Sequence, residues 1–338
     1  MKKILITGGA GYIGSHTAVE LVNSGFEPII LDDLSNSNEN VLDRLEEITG
    51  KKFPFYKGDC SDINLLEKIS QEHHITGVIH FAAFKAVGES TRLPLKYYQN
   101  NVGSLLVLLE FMKNKSIKDL VFSSSCTVYG QADQLPVTES TPRKDAESPY
   151  ANTKKICEDI LVDFVASQVG IRVISLRYFN PIGAHPSSKI GELPSGVPSN
   201  LIPFVTQTAA GIRDKVTIFG DDYDTPDGTC IRDYIHVVDL ADAHVKALGY
   251  LEKQEIDFYD VFNVGTGNGN TVLEVVQTFE RVNALKLNYE IGPRRPGDVV
   301  KIWADTHKIN KILGWTPKFT LEDSLRDSWN WEKTLHST

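Results

Sequence analysis

Six short runs rich in β-branched residues recur through the first 180 positions: KILIT (3–7), PIILDD (28–33), PFYKGD (54–59), GVIHFAA (77–83), DLVFSSS (119–125) and RVISLRYFN (172–180). Each is separated from the next by a connection of helix length. Strands spaced in this way build βαβ units and a parallel sheet, and near-continuous apolar runs suit strands covered on both faces. The expected fold class is therefore α/β: a doubly wound parallel sheet over residues 1–180, followed by a smaller α/β domain over 181–338.

The boundary is placed by composition. Residues 181–200, PIGAHPSSKIGELPSGVPSN, hold four prolines, three glycines and four serines, which is loop chemistry. Beyond them short strands (216–220, 261–265, 287–292) mix with helical patterns near 200–212, 239–251, 271–283 and 321–333. A segment around 234–263 is expected to pack back on the first sheet.

With 338 residues and 41% hydrophobic content the chain can fill a sizeable core. A net charge of −9 speaks against a nucleic-acid or anionic-membrane partner, while leaving room for a small anionic ligand held by a few arginines. The apolar stretch Ile4–Ile6 is too short for a signal-peptide core, and no run has the length of a membrane span. Cys60, Cys126, Cys157 and Cys230 form no CxxC, and no HExxH occurs, so neither disulfide nor metal is expected. A reducing compartment, the cytoplasm, is the expected location.

Residues 6–16, ITGGAGYIGSH, follow the first strand and open a helix. They satisfy GxGxxG as Gly9, Gly11 and Gly14, and TGxxGxxG as Gly8, Gly11 and Gly14. Glycines there permit a tight turn and close approach of backbone to a pyrophosphate, and the helix N-terminus offers N–H donors to the anion. Asp32 ends the second strand 18 residues after Gly14, where a carboxylate accepts from ribose hydroxyls and repels a 2′-phosphate, favouring NAD over NADP. Asp59, closing the third strand, suits either the adenine edge or a helix cap.

Ser123, Ser124 and Ser125 end the fifth strand, at the sheet edge where such folds bind ligands; Ser123 reads best as a turn former. Tyr150 and Lys154 lie four apart, a spacing that stacks the ammonium over the phenol on one helix face. A phenol with pKa about 10 needs about three units of depression, about 4 kcal/mol, to work as a base near neutrality, and nearby cations supply it.

The glycine loop together with Ser125, Tyr150 and Lys154 resembles the short-chain dehydrogenase/reductase superfamily, with its Rossmann sheet. A sharper resemblance, to the UDP-galactose 4-epimerase family, runs through HFAAFKAVGES, YYQNNV, FSSSCTVYG, SPYANTK, LRYFNPIGAHPS, PSNLIPF, FGDDYDTPDGTCIRDYIHVVDLADAH, FNVGTGNGNTVLEV and RRPGD, in order along essentially the whole chain. It implies tightly held NAD, removal of hydride from sugar C4, rotation of the 4-keto sugar, and hydride return to the opposite face. It also implies catalysis by Tyr150 with Ser125 and Lys154. Cofactor contacts would fall on Gly8, Gly11, Tyr12, Ile13, Gly14, Asp32, Asp59, Cys60, Phe81, Ala82, Lys85, Asn100, Ser125, Tyr150, Lys154 and Phe179. The UDP-sugar would meet Ser125, Tyr150, Asn180, Asn200, Leu201, Thr217, Ile218, Phe219, Arg232, Arg295, Asp298 and Ile302.

Alternatives stay open at two of these: Arg232 has Asp233 as an ion-pair partner, and Phe219 fits a core position. Ala151 and the run Val102-Gly103-Ser104 depart from the family pattern as packing changes. Ile302 replaces the Tyr of members restricted to plain hexoses, which implies room for a 2-acetamido group. Apolar surface on helices near 102–112 and 156–165 is covered either by the second domain or, as the resemblance implies, by a second copy in a homodimer. Two rival functions are a nucleotide-sugar dehydratase, which needs an acidic pair where this chain has Cys126 and Thr127, and a catalytically silent NAD-binding regulator.

Overall fold

A computed structural model describes residues 1–295 and 297–336. The six early runs form β1 (Lys3–Thr7), β2 (Glu27–Asp32), β3 (Phe55–Lys57), β4 (Ile75–His80), β5 (Asp119–Ser125) and β6 (Arg172–Tyr178). Later strands are β7 (Asn180–Ile182), β8 (Val216–Phe219), β9 (Ile231–Arg232), β10 (Tyr234–His236), β11 (Phe258–Val264), β12 (Asn270–Thr271), β13 (Tyr289–Gly292) and β14 (Lys301–Ile302). The main sheet has seven strands in the order β11-β6-β5-β4-β1-β2-β3, all parallel. This is the expected doubly wound α/β fold.

Period-two alternation sorts the sheet residues between two cores. Ile4, Ile6, Ile30, Ile79, Val121 and Ile174 face the helices Tyr12–Asn23 and Val237–Leu251. Leu5, Ile29, Leu31, Val78, Leu120 and Val173 face the helices Ile63–Glu72, Gly103–Asn114 and Pro149–Ala166. Each buried Leu, Ile or Val contributes about 1.5–3 kcal/mol by leaving water, and before the serines of β5 the buried polar residues of these strands, Thr7, Asp32, His80 and Asp119, stand at strand ends.

The four helical patterns expected after residue 200 form the helices Leu201–Ala209, Val237–Leu251, Val272–Asn283 and Leu321–His336, and a further short helix spans His307–Leu313. The first is shorter than the expected 200–212 because the chain turns at Gly211, whose φ of +75° ends helical geometry. Thr271 and Glu274 make a reciprocal capping box that fixes the start of the third. The helix Val237–Leu251 and β11 lie on the main sheet, with β11 as its edge beside β6. The rest hangs on small pairings: β7 with β10, β8 with β13, and β9 between β12 and β14. A bridge at Val137 and Ala304 ties the loop after β5 to this outer region, with Val137 N–H donating to Trp303 O at 3.0 Å.

Candidate active site

The glycine loop follows β1 at the carboxyl edge of the sheet, where β4, β5 and β6 also end. Gly8 has φ +72°, and a Cβ there would lie 2.9 Å from Ala82 N. A Cβ on Gly14 would sit on the Gly8 carbonyl and 2.8 Å from Gly9 Cα, so only glycine lets helix and loop close up. The helix Tyr12–Asn23 starts at Gly11 with no side-chain cap, leaving first-turn N–H groups for an anion. Asp32 is buried; its Oδ2 accepts from Ala10 N at 3.0 Å, and its Oδ1 from Leu34 N at 2.9 Å and Ser37 Oγ at 2.7 Å. A carboxylate offers about four acceptor positions, so one remains for a ribose hydroxyl. A cradle that a Cβ would fill, an uncapped helix start and a fixed carboxylate fit a dinucleotide.

The other residues expected at the cofactor are spread around this sheet edge. Tyr12 donates to Gly183 O at 2.6 Å, and Ile13 is half-buried. Asp59 is exposed, and its Oδ1 accepts from Ser61 N at 2.8 Å. The helix-cap alternative for Asp59 is corrected: Asp62 caps the helix Ile63–Glu72. Cys60 is buried, its thiol pushed up to about 12 by burial. Phe81 stacks obliquely on His244 at 4.7 Å, and Ala82 N–H is held by Thr7 O at 3.1 Å. Of the paired asparagines, Asn101 is the brace: its amide donates to Phe84 O and Thr153 Oγ1, both at 3.0 Å, and its oxygen accepts from Asn100 Nδ2 at 2.9 Å. Phe179 is buried beside Cys126 and Ile302.

At the end of β5 the helix Pro149–Ala166, capped by Ser148 with Pro149 in its first turn, lays Tyr150 and Lys154 against the serines. Ser125 lies beside the Tyr150 phenol and draws its pKa down, but burial dominates and pushes it up to about 12. Lys154 is buried, and burial lowers its ammonium to about 8. The expected stacking of that ammonium over the phenol is corrected. Nζ donates to Ser123 O at 2.6 Å and lies 5.0 Å from the Phe122 ring centre, because a buried cation takes the nearest backbone acceptor. Ser123 is likewise no turn former: it is a buried strand residue bonded to the Tyr178 hydroxyl.

On the far wall, Phe219 at the end of β8 is 41% exposed, which rules out the core position, while Thr217 is half-buried and Ile218 is core. The guanidinium of Arg295 lies 5.7 Å from the Phe219 ring centre and pairs with Asp298 through both nitrogens, at 3.1 and 2.7 Å. Arg232 faces the same carboxylate at 3.8 Å rather than Asp233, which is buried and occupied by Thr266 N, Gly267 N and Ala304 N. Two cations around one carboxylate leave a net positive charge for a diphosphate. Ile302 lies opposite Arg232 in the β14–β9 register and packs with Cys126, Tyr129 and Phe179. Asn180 and Leu201 are half-buried. Asn200 Nδ2 donates to Glu192 at 2.6 Å, and that carboxylate also takes the Lys85 ammonium at 3.2 Å, so Lys85 and Asn200 meet through a residue the sequence did not single out.

Also unanticipated are Glu158 and Arg177, which join Ser124 in a buried polar cluster. The signal was present: Arg177 sits in an apolar strand run, and Glu158 follows Lys154 by one turn on the helix face turned inward.

The chain matches, over residues 5–328, a protein-family model described as GDP-mannose 4,6 dehydratase. It is 49% identical over 331 residues to the UDP-glucose 4-epimerase of Bacillus subtilis, spanning 98% of this chain and 97% of the relative. The solved UDP-glucose 4-epimerase from Bifidobacterium longum, in complex with NAD+ and UDP, superposes with a TM-score of 0.95 at 46% identity and 98% coverage of both chains. That from Stenotrophomonas maltophila, with bound NAD and formylated UDP-arabinopyranose, gives 0.96 at 44% identity and 99% coverage of both. No carboxylate pair follows the serine strand, where Cys126 and Thr127 stand, so the acid and base expected of a dehydratase are missing there. The chain belongs to the UDP-glucose 4-epimerase family.

Proposed function

We propose that this protein interconverts UDP-galactose and UDP-glucose, with NAD held in the glycine-loop cleft. The observation that carries the reading is the convergence of Ser125, Tyr150 and Lys154 at one strand end, facing a wall with Arg232, Arg295 and Phe219. When bound, oxidised NAD, held by the glycine loop and Asp32, would supply the acceptor and donor of the C4 hydride and a positive ring charge.

The chain's own residues handle the proton. Tyr150 accepts the proton of the C4 hydroxyl as the carbon loses hydride, and gives it back when hydride returns, so the cycle has no net redox change. Ser125 bonds the same oxygen and shares its charge. Lys154, still protonated at neutral pH with a pKa of about 8, supplies a cation one turn from the phenol. Burial holds Tyr150 at about 12, so Lys154 and the cofactor's charge together must bring the phenol into range. Phe219 lies against the uracil, the arginines neutralise the diphosphate, and Asp298 accepts from the ribose.

Incubation with UDP-galactose, without added NAD, and coupled detection of UDP-glucose tests the reading. An epimerase gives the isomer, a dehydratase a 4-keto-6-deoxy sugar, and a silent regulator neither. A second substrate class is favoured by Ile302, which is shorter than Tyr and has no hydroxyl: UDP-N-acetylgalactosamine is turned over beside the plain hexose. Undetectable turnover of the acetylated sugar, with no gain from Ile302→Cys, removes that extension.

Two copies pair through the helices Gly103–Asn114 and Pro149–Ala166, whose Leu106 and Val162 are 50% and 44% exposed. The place of work is the cytoplasm, a reading supported by four free cysteines. Among the described residues no helix is long and apolar enough to cross a membrane.

A further inference from the structure

Three successive residues of β5 each meet a different residue of the helix Pro149–Ala166. Ser123 O accepts from Lys154 Nζ at 2.6 Å, Ser124 Oγ donates to Glu158 Oε1 at 2.5 Å, and Ser125 lies beside the Tyr150 phenol. The middle link is the deepest: Glu158 is 1% exposed and its partner Arg177 5%. Arg177 stands directly across from Ser124 in the β5–β6 register and grips both carboxylate oxygens, at 2.9 and 2.6 Å. Its remaining nitrogen donates to the Tyr129 hydroxyl at 3.0 Å, which donates in turn to Asn263 Oδ1 at 2.6 Å. Arg143 Nη1 reaches the same carboxylate at 3.4 Å.

A buried ion pair of this kind is a poor device for stability, since the cost of desolvating both charges offsets most of their attraction. What a bidentate pair supplies that apolar contacts do not is register. A helix resting on a sheet through aliphatic side chains can slide or roll by an ångström, and a misplacement of that size costs about 100-fold in rate when it displaces a reacting group.

We propose that Glu158 is a positioning residue: paired with Arg177 and bonded to Ser124, it locks the helix bearing Tyr150 and Lys154 in register with the serine strand. The inference rests on the epimerase reading. Its charge has a second effect, opposing the pull of burial on the Lys154 ammonium one turn away.

The test uses the NAD-bound protein and three variants. Ser124→Ala removes the link between Glu158 and the strand but leaves the ion pair whole; turnover of UDP-galactose is expected to fall about 10-fold with KM unchanged. Glu158→Gln is expected to lose about 100-fold. Because that change strands a buried arginine, the double variant Glu158→Gln/Arg177→Met removes both charges, and thermal melting establishes that it is folded. A folded double variant with wild-type turnover overturns the lock, as does a loss in Ser124→Ala that appears in KM alone.

A second readout needs no substrate. Ultraviolet titration of tyrosine, with the Tyr150→Phe protein subtracted, follows the Tyr150 phenol; its neighbours Ser125, Cys126, Tyr97 and Tyr178, and Lys154 one turn along the helix, are all unaltered. A midpoint raised in Ser124→Ala supports the lock, and an unmoved one rejects it. If the wild type fails to convert UDP-galactose, the proposed function falls and this titration alone judges the lock.

Discussion

Tyr150 and Lys154 can be picked out of the sequence by spacing and context, but the direction each side chain takes cannot. The four-residue interval puts both on one helix face, whereas the ammonium's choice of Ser123 O depends on a carbonyl that only the assembled sheet brings near. Glu158 and Arg177 were hidden for the same reason: a charged residue in an apolar run demands a partner, and the partner is known only when β6 lies beside β5. Tyr150→Phe keeps the ring and removes the proton acceptor. Turnover should fall about 1,000-fold while calorimetric affinity for the UDP-sugar stays within a few fold. Ile302→Tyr should depress turnover of the acetylated sugar selectively, and an unchanged ratio of the two substrates would show that position 302 does not set the width of the pocket.

At the level of elements, legibility followed the strength of the periodic signal. β5 spans the seven residues expected, between the turn at Lys115 and Ser116 and the 3-10 turn Cys126–Tyr129. The two- and three-residue strands β7, β9, β10, β12 and β14 have no local pattern; they exist because distant segments meet. The π-helical turn Tyr98–Val102 that carries Asn100 and Asn101 was equally unreadable, since a π turn and an α turn share composition. The glycine loop, by contrast, is explained position by position. Gly14→Ala would force its new methyl onto the Gly8 carbonyl, so the loop must open. The variant should purify with little NAD, measured by absorbance of the released nucleotide, and a full complement would contradict the packing described.

Across the whole molecule, burial of histidine sets a response to acid. His16, His80 and His244 are buried, and burial lowers them to about 3, about 3 and about 4. Unfolded, each would titrate at about 6.5. Below that value the unfolded chain binds more protons than the folded one, so stability is intact above it and drains away as pH falls toward 4, by about 1.4 kcal/mol per pH unit for each histidine. Melting midpoints should drop steeply between about pH 6.5 and about pH 4.5, and a flat profile there would mean that these rings are not held neutral. Association is tested at the same scale: sedimentation should give a dimer for the wild type and a monomer for Leu106→Glu, since a charge at that exposed position cannot be buried between two copies.

β11 is drawn from residues 258–264, yet it completes the sheet begun by the first 180. A polypeptide severed after Asn180 would display the raw backbone of β6 to any passing strand and uncover the apolar floor beneath residues 237–251. The two halves are therefore not interchangeable cassettes. A chimaera that borrows another sugar-recognising half must leave residues 237–264 with the nucleotide-binding one, and splicing at the obvious proline-rich junction would yield aggregates instead of a new specificity.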